Sequence, residues 1–311
     1  MRLTLRGYAE AVAESAAAGS AAGALADEIA QVTGLFGRSG ELATAMTDVG
    51  VPMQARRAVL QDLLSERVMP STLRIVLRAV ADERADELPA ALVELEALTR
   101  HFANHQEELL AGGEPPEIDL ALGRSAWRAR MGGYAAAVLE VLHEVAEIEQ
   151  VEGELFAFAR VVAANPALRS ALADHSLPLR ARRGVVADLL SGRAHPASVR
   201  LIDETLSGRL RDVVGALEWL AEQAAAARGW RVARVEAATE LSDEDRSRLA
   251  DVLSRRFGAP VEVQVTVDPA LLGGAVVAIG DLLVDASASH RLEELSERLL
   301  GSDAAVPSRA L

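Results

Sequence analysis

Two histidines, His101 and His105, have the four-residue spacing with which one helix face presents a pair of metal ligands. No carboxylate lies between them as the metalloprotease pattern requires, and the sequence shows no third ligand. We therefore interpret the pair as a polar helix end and predict no metal site.

Three consecutive carboxylates, Asp243, Glu244 and Asp245, could support acid–base chemistry. However, Ser242 and Asp245 have capping-box spacing, and acidic side chains stabilise the positive end of a helix. We interpret the run as a helix start. Gly273-Gly274 lacks the spacing and the lysine of a phosphate loop, and an apolar strand pattern follows it, so a backbone bend is the simpler interpretation.

Two arginine pairs, Arg56-Arg57 and Arg182-Arg183, could form an anion-binding patch. We expect each pair to flank the solvated side of its helix, and an ion-pair role stays open because both pairs recur in equivalent positions. No nucleophile, base and orienting group can be assembled from position alone. We therefore name no catalytic residue and no cofactor.

Composition excludes several classes of protein. The 311 residues contain no cysteine, which excludes disulfides and thiolate metal sites. A formal charge of −14 argues against a nucleic-acid partner, which needs clustered cations. No signal peptide and no run of about 20 apolar residues is present, so we expect no membrane span.

One segment of the chain occurs twice, 126 residues apart. Between residues 51–76 and 177–202, 12 of 26 positions are identical, and Gly7-Tyr8-Ala9 recurs as Gly133-Tyr134-Ala135 at the same offset. Such self-similarity predicts a duplicated helical unit. Pro52 and Pro70, with their copies Pro178 and Pro196, are placed to start helices. In the helix after Pro52, we predict that Ala55, Val59, Leu63 and Leu64 face inward.

The C-terminal part changes period. Residues 261–267 alternate apolar and polar side chains, which predicts a half-buried strand, and weaker strand patterns cover 232–238, 275–279 and 282–285. Between the first two strands we predict a helix with Leu249, Val252, Leu253 and Phe257 buried. A last helix is predicted over 288–300, and Gly280-Asp281 is predicted to form a tight turn.

The fold class is therefore mainly α with a small α+β C-terminal domain: two tandem six-helix bundles followed by a short-stranded sheet with two helices. The predicted boundaries are 1–110 for the first bundle, 111–125 for a linker, 126–229 for the second bundle, 230–300 for the α+β domain, and 301–311 for a flexible tail.

The C-terminal part resembles the delta subunit of the F-type ATP synthase, the oligomycin-sensitivity-conferring protein family. The resemblance lies in the alternating strand, Asp268-Pro269 with Gly273-Gly274, and Asp285-Ala286-Ser287, where Ala286 replaces the usual glycine. Tyr8-Ala9 and Tyr134-Ala135 resemble the opening of the family's helical bundle. An ordinary member has one such bundle, whereas this chain has two.

The resemblance implies a non-catalytic stator subunit that links the alpha subunits of the catalytic head to b-type stalk helices. It implies a peripheral location on the cytoplasmic face of the bacterial cell membrane, with membrane contact only through the complex. The family binds an alpha N-terminal helix between its first and fifth helices. The implied alpha-binding residues are Tyr8, Val12, Leu73, Val76, Leu77, Tyr134, Val138, Val199, Ile202 and Leu206. The implied stalk-binding residues of the 230–300 domain are Leu292, Leu295 and Leu299.

The two copies could engage two alpha N-termini, or one alpha tail and one stalk helix. The alternative function is a free helical adaptor or a regulatory protein-binding module.

Overall fold

The computed structural model describes residues 1–111, 122–142, 144–207, 212–229, 231–257, 260–268, 271, 273–279 and 282–285. These residues form fourteen α-helices, one short 3-10 helix and four β-strands. The prediction of a mainly helical chain with a small C-terminal sheet is confirmed. Within the described ranges, no helix is both long enough and apolar enough to cross a membrane.

The first copy of the repeat contains seven of these α-helices. They are α1 (Leu3–Ala18), α2 (Ala22–Arg38), α3 (Gly40–Thr47), α4 (Met53–Leu64), α5 (Pro70–Asp82), α6 (Leu88–Asn104) and α7 (Gln106–Leu110), with the 3-10 helix at Ala85–Glu87 before α6. Pro70 is the first residue of α5 and Pro52 the residue before α4, so both prolines start helices as predicted.

The second copy contains six helices. They are α8 (Arg124–Glu140), α9 (Val145–Ala164), α10 (Pro166–Ala173), α11 (Leu179–Leu190), α12 (Pro196–Ser207) and α13 (Val213–Ala227). The short helices α3 and α10 start in the same way in the two copies, because Ser39 and Asn165 each accept a hydrogen bond from a backbone N–H three residues on.

A single hydrophobic core runs through both copies, from Leu5 to Ala224. Met1–Ala224 accordingly form one compact unit, and a second unit begins at Ala225. The prediction of two tandem six-helix bundles is therefore not confirmed. The predicted linker at 111–125 stays a prediction, since most of it lies outside the described residues.

The inward face of α4 was predicted correctly for Leu64, which is buried, and in part for Leu63, which is half-buried, but wrongly for Ala55 and Val59. Ala55 and Val59 are exposed, whereas Arg56, Leu60 and Leu64 are buried. The reason is that Arg56 Nη1 donates to the Met46 carbonyl oxygen at 3.3 Å, one of the carbonyls that the end of α3 leaves without a helical partner. The buried face of α4 thus consists of Leu60 and Leu64 together with Arg56, whose guanidinium has a backbone acceptor.

The same correction applies in the second copy. Arg182 is 7% exposed, and its Nη1 donates to the carbonyl oxygens of Leu172 and Leu206 at 3.4 and 3.0 Å. The expectation that both arginine pairs lie on solvated helix faces is therefore wrong for the first arginine of each pair. Arg183 has the ion-pair role left open above, at 3.8 Å from Glu204.

The C-terminal unit is a four-stranded sheet with one described helix. Its elements are β1 (Arg231–Ala237), α14 (Asp243–Phe257), β2 (Val261–Val267), β3 (Ala275–Ile279) and β4 (Leu282–Asp285), in the sheet order β2-β1-β3-β4. β1 and β2 are parallel, which requires the α14 crossover between them, and the other two pairings are antiparallel.

Side chains in this unit follow the predicted alternation only in part. Val261 and Val263 are buried, whereas Val267 is 41% exposed at the end of its strand. On α14, Leu249 and Leu253 pack on the sheet, but Val252 is 49% exposed, so its predicted burial is wrong. The Phe257 side chain, Gly280-Asp281 and the helix predicted over 288–300 lie outside the described residues.

Candidate functional site

The two copies meet where α1 crosses α8, and two glycines make this crossing possible. A Cβ atom on Gly7 would lie 1.9 Å from the carbonyl oxygen of Arg130, and a Cβ on Gly133 would lie 1.8 Å from that of Thr4. Both positions tolerate only hydrogen, since the neighbouring atoms are backbone and cannot rotate away. The repeated Gly-Tyr-Ala sequence therefore marks a backbone-to-backbone helix contact.

Two tyrosines next to these glycines make reciprocal contacts. The Tyr8 hydroxyl donates to Glu140 and the Tyr134 hydroxyl donates to Glu14, each at 2.5 Å. Tyr8 and Tyr134 are 126 residues apart, as are Glu14 and Glu140. In a two-fold symmetric interface every contact occurs twice, once in each direction: a residue of the first copy contacts a second position in the other copy, and the equivalent pair makes the same contact with the copies exchanged. The two copies are thus related by an approximate two-fold axis at the crossing.

Burial holds both phenols in their donor form. It raises the pKa of Tyr8, and the hydrogen bond to the negative Glu140 raises it further. The pKa of Tyr134 is also well above its ordinary value, because that ring is buried and faces the charge of Glu14. Neither tyrosine can therefore act as a general base near neutral pH.

An ionic cluster breaks the symmetry of this interface. Arg130 of α8 bonds to Glu10 of α1 at 2.6 Å and to Glu204 of α12 at 2.5 Å, and Arg6 contacts Glu10 at 3.1 Å. The positions equivalent to Glu10, Arg130 and Glu204 are alanine, threonine and arginine, so this set of charges occurs on one side of the axis only. The cluster joins the first copy to the second through Arg130 and Glu10, and an exchange of the two copies would not reproduce it.

Burial also changes the proton affinity of the carboxylates in the interface. It raises the pKa of Glu10, against the opposing attraction of Arg130. Glu14 has a pKa raised to about 7, through burial and the nearby charge of Glu204, although the Tyr134 hydroxyl and Arg200 act in the opposite direction. Protonation of Glu14 is therefore easier in the folded chain than in an exposed glutamate.

A second repeated contact fixes the helices behind the crossing. Glu28 of α2 accepts hydrogen bonds from the Met69 backbone N–H and the Thr72 hydroxyl at the start of α5. Its counterpart Glu154 accepts from the His195 N–H and the Ser198 hydroxyl at the start of α12. A glutamate on one helix thus caps another helix, which sequence patterns do not reveal because the two partners are about 40 residues apart.

Most of the residues implied in alpha-subunit binding lie inside this unit. Half-buried positions are Leu73, Leu77 and Val199. Fully buried positions are Tyr8, Val12, Val76, Tyr134, Val138, Ile202 and Leu206. Their alpha-binding role stays a prediction. The implied stalk-binding residues Leu292, Leu295 and Leu299 lie outside the described residues.

The other chemically suggestive residues have structural partners. His105 Nδ1 lies 2.8 Å from the His101 carbonyl oxygen, and no cluster of three or more metal-ligating side chains occurs in the described part of the chain. Asp245 accepts from the Ser242 hydroxyl and donates its backbone N–H to it, so the predicted helix cap is confirmed. Gly273 and Gly274 have φ angles of 149° and 80°, consistent with a bend before β3.

A family profile and individual relatives of the chain carry the same description. The sequence profile described as ATP synthase delta (OSCP) subunit matches residues 5–109 and 131–299. The chain is 36% identical over 279 residues to the ATP synthase subunit delta of Frankia alni, over 89% of this chain and 87% of that protein.

Two further relatives with the same description are of similar length. Identity to the protein of Nocardia farcinica is 32% over 274 residues, 88% of each chain. Identity to that of Kineococcus radiotolerans is 34% over 276 residues, 88% of this chain and 87% of the relative. The additional helical copy therefore falls within the length that these relatives share with the chain.

Proposed function

Because the chain belongs to the ATP synthase delta (OSCP) subunit family, we propose that it links the alpha subunits of the catalytic head to b-type stalk helices, so that the head does not turn with the rotor. Members of this family are non-catalytic peripheral-stalk subunits of the membrane-bound F-type ATP synthase, which confirms the prediction that the chain is not an enzyme. The proposed location is the cytoplasmic face of the bacterial membrane.

The continuous core of residues 1–224 is the observation that best supports a stator role. A part that resists torque must transmit force without internal yielding, and separate bundles on a flexible linker would rotate independently. Here the glycine crossing, the paired Tyr–Glu bonds and the ionic cluster hold both copies together. The duplication then produces one compact unit with a shared core.

Burial of the implied alpha-binding residues narrows how an alpha helix could dock. An alpha N-terminus that bound through Tyr8 or Tyr134 would have to open the α1–α8 contact, because both hydroxyls are bonded across it. Docking at the half-buried Leu73 and Leu77 of α5 needs no such opening. We therefore favour one alpha helix on the assembled unit, with the second partner, the b-type helix, at Leu292, Leu295 and Leu299.

Co-purification tests the proposal. A tagged full-length chain, expressed from its own genome, should recover alpha, beta and b-type subunits after solubilisation of the membrane in mild detergent. A matched sample with the α1–α8 contact disrupted by Gly7→Trp should recover less of the head, because the two copies would no longer share one core. Recovery of the chain without any ATP synthase subunit would contradict the proposal and favour a free adaptor.

A further inference from the structure

A cavity of about 140 Å³ lies beside the α1–α8 crossing, toward the C-terminal halves of both helices. Four pairs of its lining residues are each 126 residues apart: Ala11 with Ala137, Val12 with Val138, Ser15 with Val141, and Arg74 with Arg200. Since symmetry-equivalent residues face it from both copies, the cavity lies on the approximate two-fold axis. Its walls are mostly small apolar side chains, with the hydroxyl groups of Ser15 and Ser71 and two guanidinium groups.

The two arginines differ in their partners. Arg200 Nη2 donates to the Ala11 carbonyl oxygen at 3.0 Å and lies 3.5 Å from Glu14, and its guanidinium is 5.8 Å from the Tyr134 ring centre. Arg74 is half-buried, and among the described residues it has neither a hydrogen bond nor an ion pair. Glu140, which by symmetry would pair with Arg74, is exposed and accepts from Tyr8.

From this difference we propose that the cavity binds one carboxylate side chain of an amphipathic partner helix, with Arg74 as its counter-ion. The inference rests on the proposed function, under which that helix is the alpha-subunit N-terminus. Arg200, the counterpart of Arg74 in the second copy, lies 3.5 Å from Glu14 of α1. This pair shows how an arginine at this position contacts a glutamate carried by a helix. A helix is about 10 Å across and cannot enter so small a space, but one of its side chains can.

The recognition has a charged and an apolar part. A guanidinium can hold a carboxylate through two parallel hydrogen bonds, which are strengthened where apolar walls exclude water. Val12 and Val138 supply such walls. Apolar residues on either side of the partner's acidic residue would cover the cavity mouth beside the half-buried Leu77. Because the cavity lies on the axis, the assembled unit offers one such site, not one in each copy.

Calorimetric titration of the full-length chain tests this site. The probe is a synthetic peptide covering the alpha N-terminal helix of the same organism, together with versions in which each acidic residue is replaced by its amide. We expect one peptide per chain. Arg74→Glu should weaken binding by about ten-fold to one hundred-fold, the loss typical of a hydrogen bond to a charged group. Arg38→Glu, on the exposed end of α2, makes the same charge change away from the cavity.

Further variants separate a lost contact from a lost fold. Arg74→Gln keeps a polar side chain, and circular dichroism should show that both Arg74 variants retain the helix content of the wild type. In a double-mutant cycle, one amide-substituted peptide should lose no further affinity for Arg74→Gln. Glu140→Gln should leave binding unchanged or strengthen it slightly.

Three results would overturn the inference. Equal binding by Arg74→Glu and Arg38→Glu would remove the site but leave the proposed alpha linkage standing. Two peptides per chain would contradict a site on the axis. Absence of binding to the wild type would also overturn it, and the co-purification experiment would then decide separately whether the chain still assembles with the head.

Discussion

Replacing Gly7 with alanine tests the central contact of this molecule, the crossing of α1 and α8. The new Cβ would lie 1.9 Å from the Arg130 carbonyl oxygen, whereas ordinary contact begins at 3.4 Å, so the helices must move apart by about 1.5 Å. Neither atom can escape by a rotamer change, because both are fixed by helical backbone. The strain therefore spreads to the whole interface.

The expected loss of stability follows from two opposing effects. Overpacking of a close-packed contact costs about 3 kcal/mol at the upper end of its usual range. Alanine is better than glycine in a helix interior by about 1 kcal/mol. The net destabilisation is then about 2 kcal/mol, which for a domain of this size lowers the melting temperature by about 4–8 °C.

Guanidinium unfolding followed by far-ultraviolet circular dichroism measures this change. Gly184 is the matched control, because it lies inside α11 and a Cβ at this position would meet no atom within 4 Å. Gly184→Ala should therefore stabilise the chain by about 0.5–1 kcal/mol. Both tyrosines of the sequence lie at the crossing, so the tyrosine contribution to the near-ultraviolet dichroism should change when the crossing is disturbed.

The double variant gives a sharper test. Gly133→Ala meets the Thr4 carbonyl oxygen from the other side, and one separation of the helices relieves both clashes. The double variant should therefore lose clearly less stability than the sum of the losses of the two single variants. Additive losses, or a Gly7→Ala variant as stable as Gly184→Ala, would refute the backbone crossing.

Three other perturbations have defined outcomes in the same unfolding assay. Tyr134→Phe should lower the free energy of unfolding by about 1.5–3 kcal/mol, and Tyr8→Phe should lower it by less. Each variant removes a hydrogen bond to a carboxylate, but Glu14, the acceptor of Tyr134, is more buried than Glu140, the acceptor of Tyr8. Equal losses would contradict this. The raised pKa of Glu14 contributes stability that is full below about pH 4.5 and is lost as the pH rises through about 7. The wild type should therefore gain stability relative to Glu14→Gln on acidification from pH 8 to pH 5, and a pH-independent difference would contradict the assigned pKa. Burial acts to raise the pKa of Glu154, but the Ser198 hydroxyl and other donors lower it overall, so its contribution is present above about pH 4.5 and is lost as the pH falls further. Glu154→Gln should accordingly differ from the wild type at pH 7 and approach it in acid; a gap that widens in acid would be inconsistent with the cap.

Local signals in the sequence predicted several elements well. Proline positions located the starts of α4, α5 and α12, and the Ser242–Asp245 spacing located the start of α14. These predictions succeeded because a cap or a proline acts on the backbone within one helical turn. The burial of Arg56 on α4 was not predicted, because its acceptor, the carbonyl oxygen of Met46, lies on a different helix.

The candidate site was less predictable than the fold. The sequence singled out Tyr8 and Tyr134 through their repeat, but it could not tell that each is buried against the other copy. Arg74 carries no motif at all. It stands out only because its counterpart Arg200 is fully partnered while it is not, a comparison that needs atomic positions.

The sequence by itself determined that a helical unit occurs twice, that the C-terminal part is an α+β unit, and which family the chain resembles. These properties depend on composition, period and short-range spacing. Only the tertiary structure decided that the two copies share one core and meet through Gly7 and Gly133. The physical reason is that the packing of α1 on α8 depends on backbone separation and on charge pairs more than 100 residues apart, such as Glu10 with Arg130.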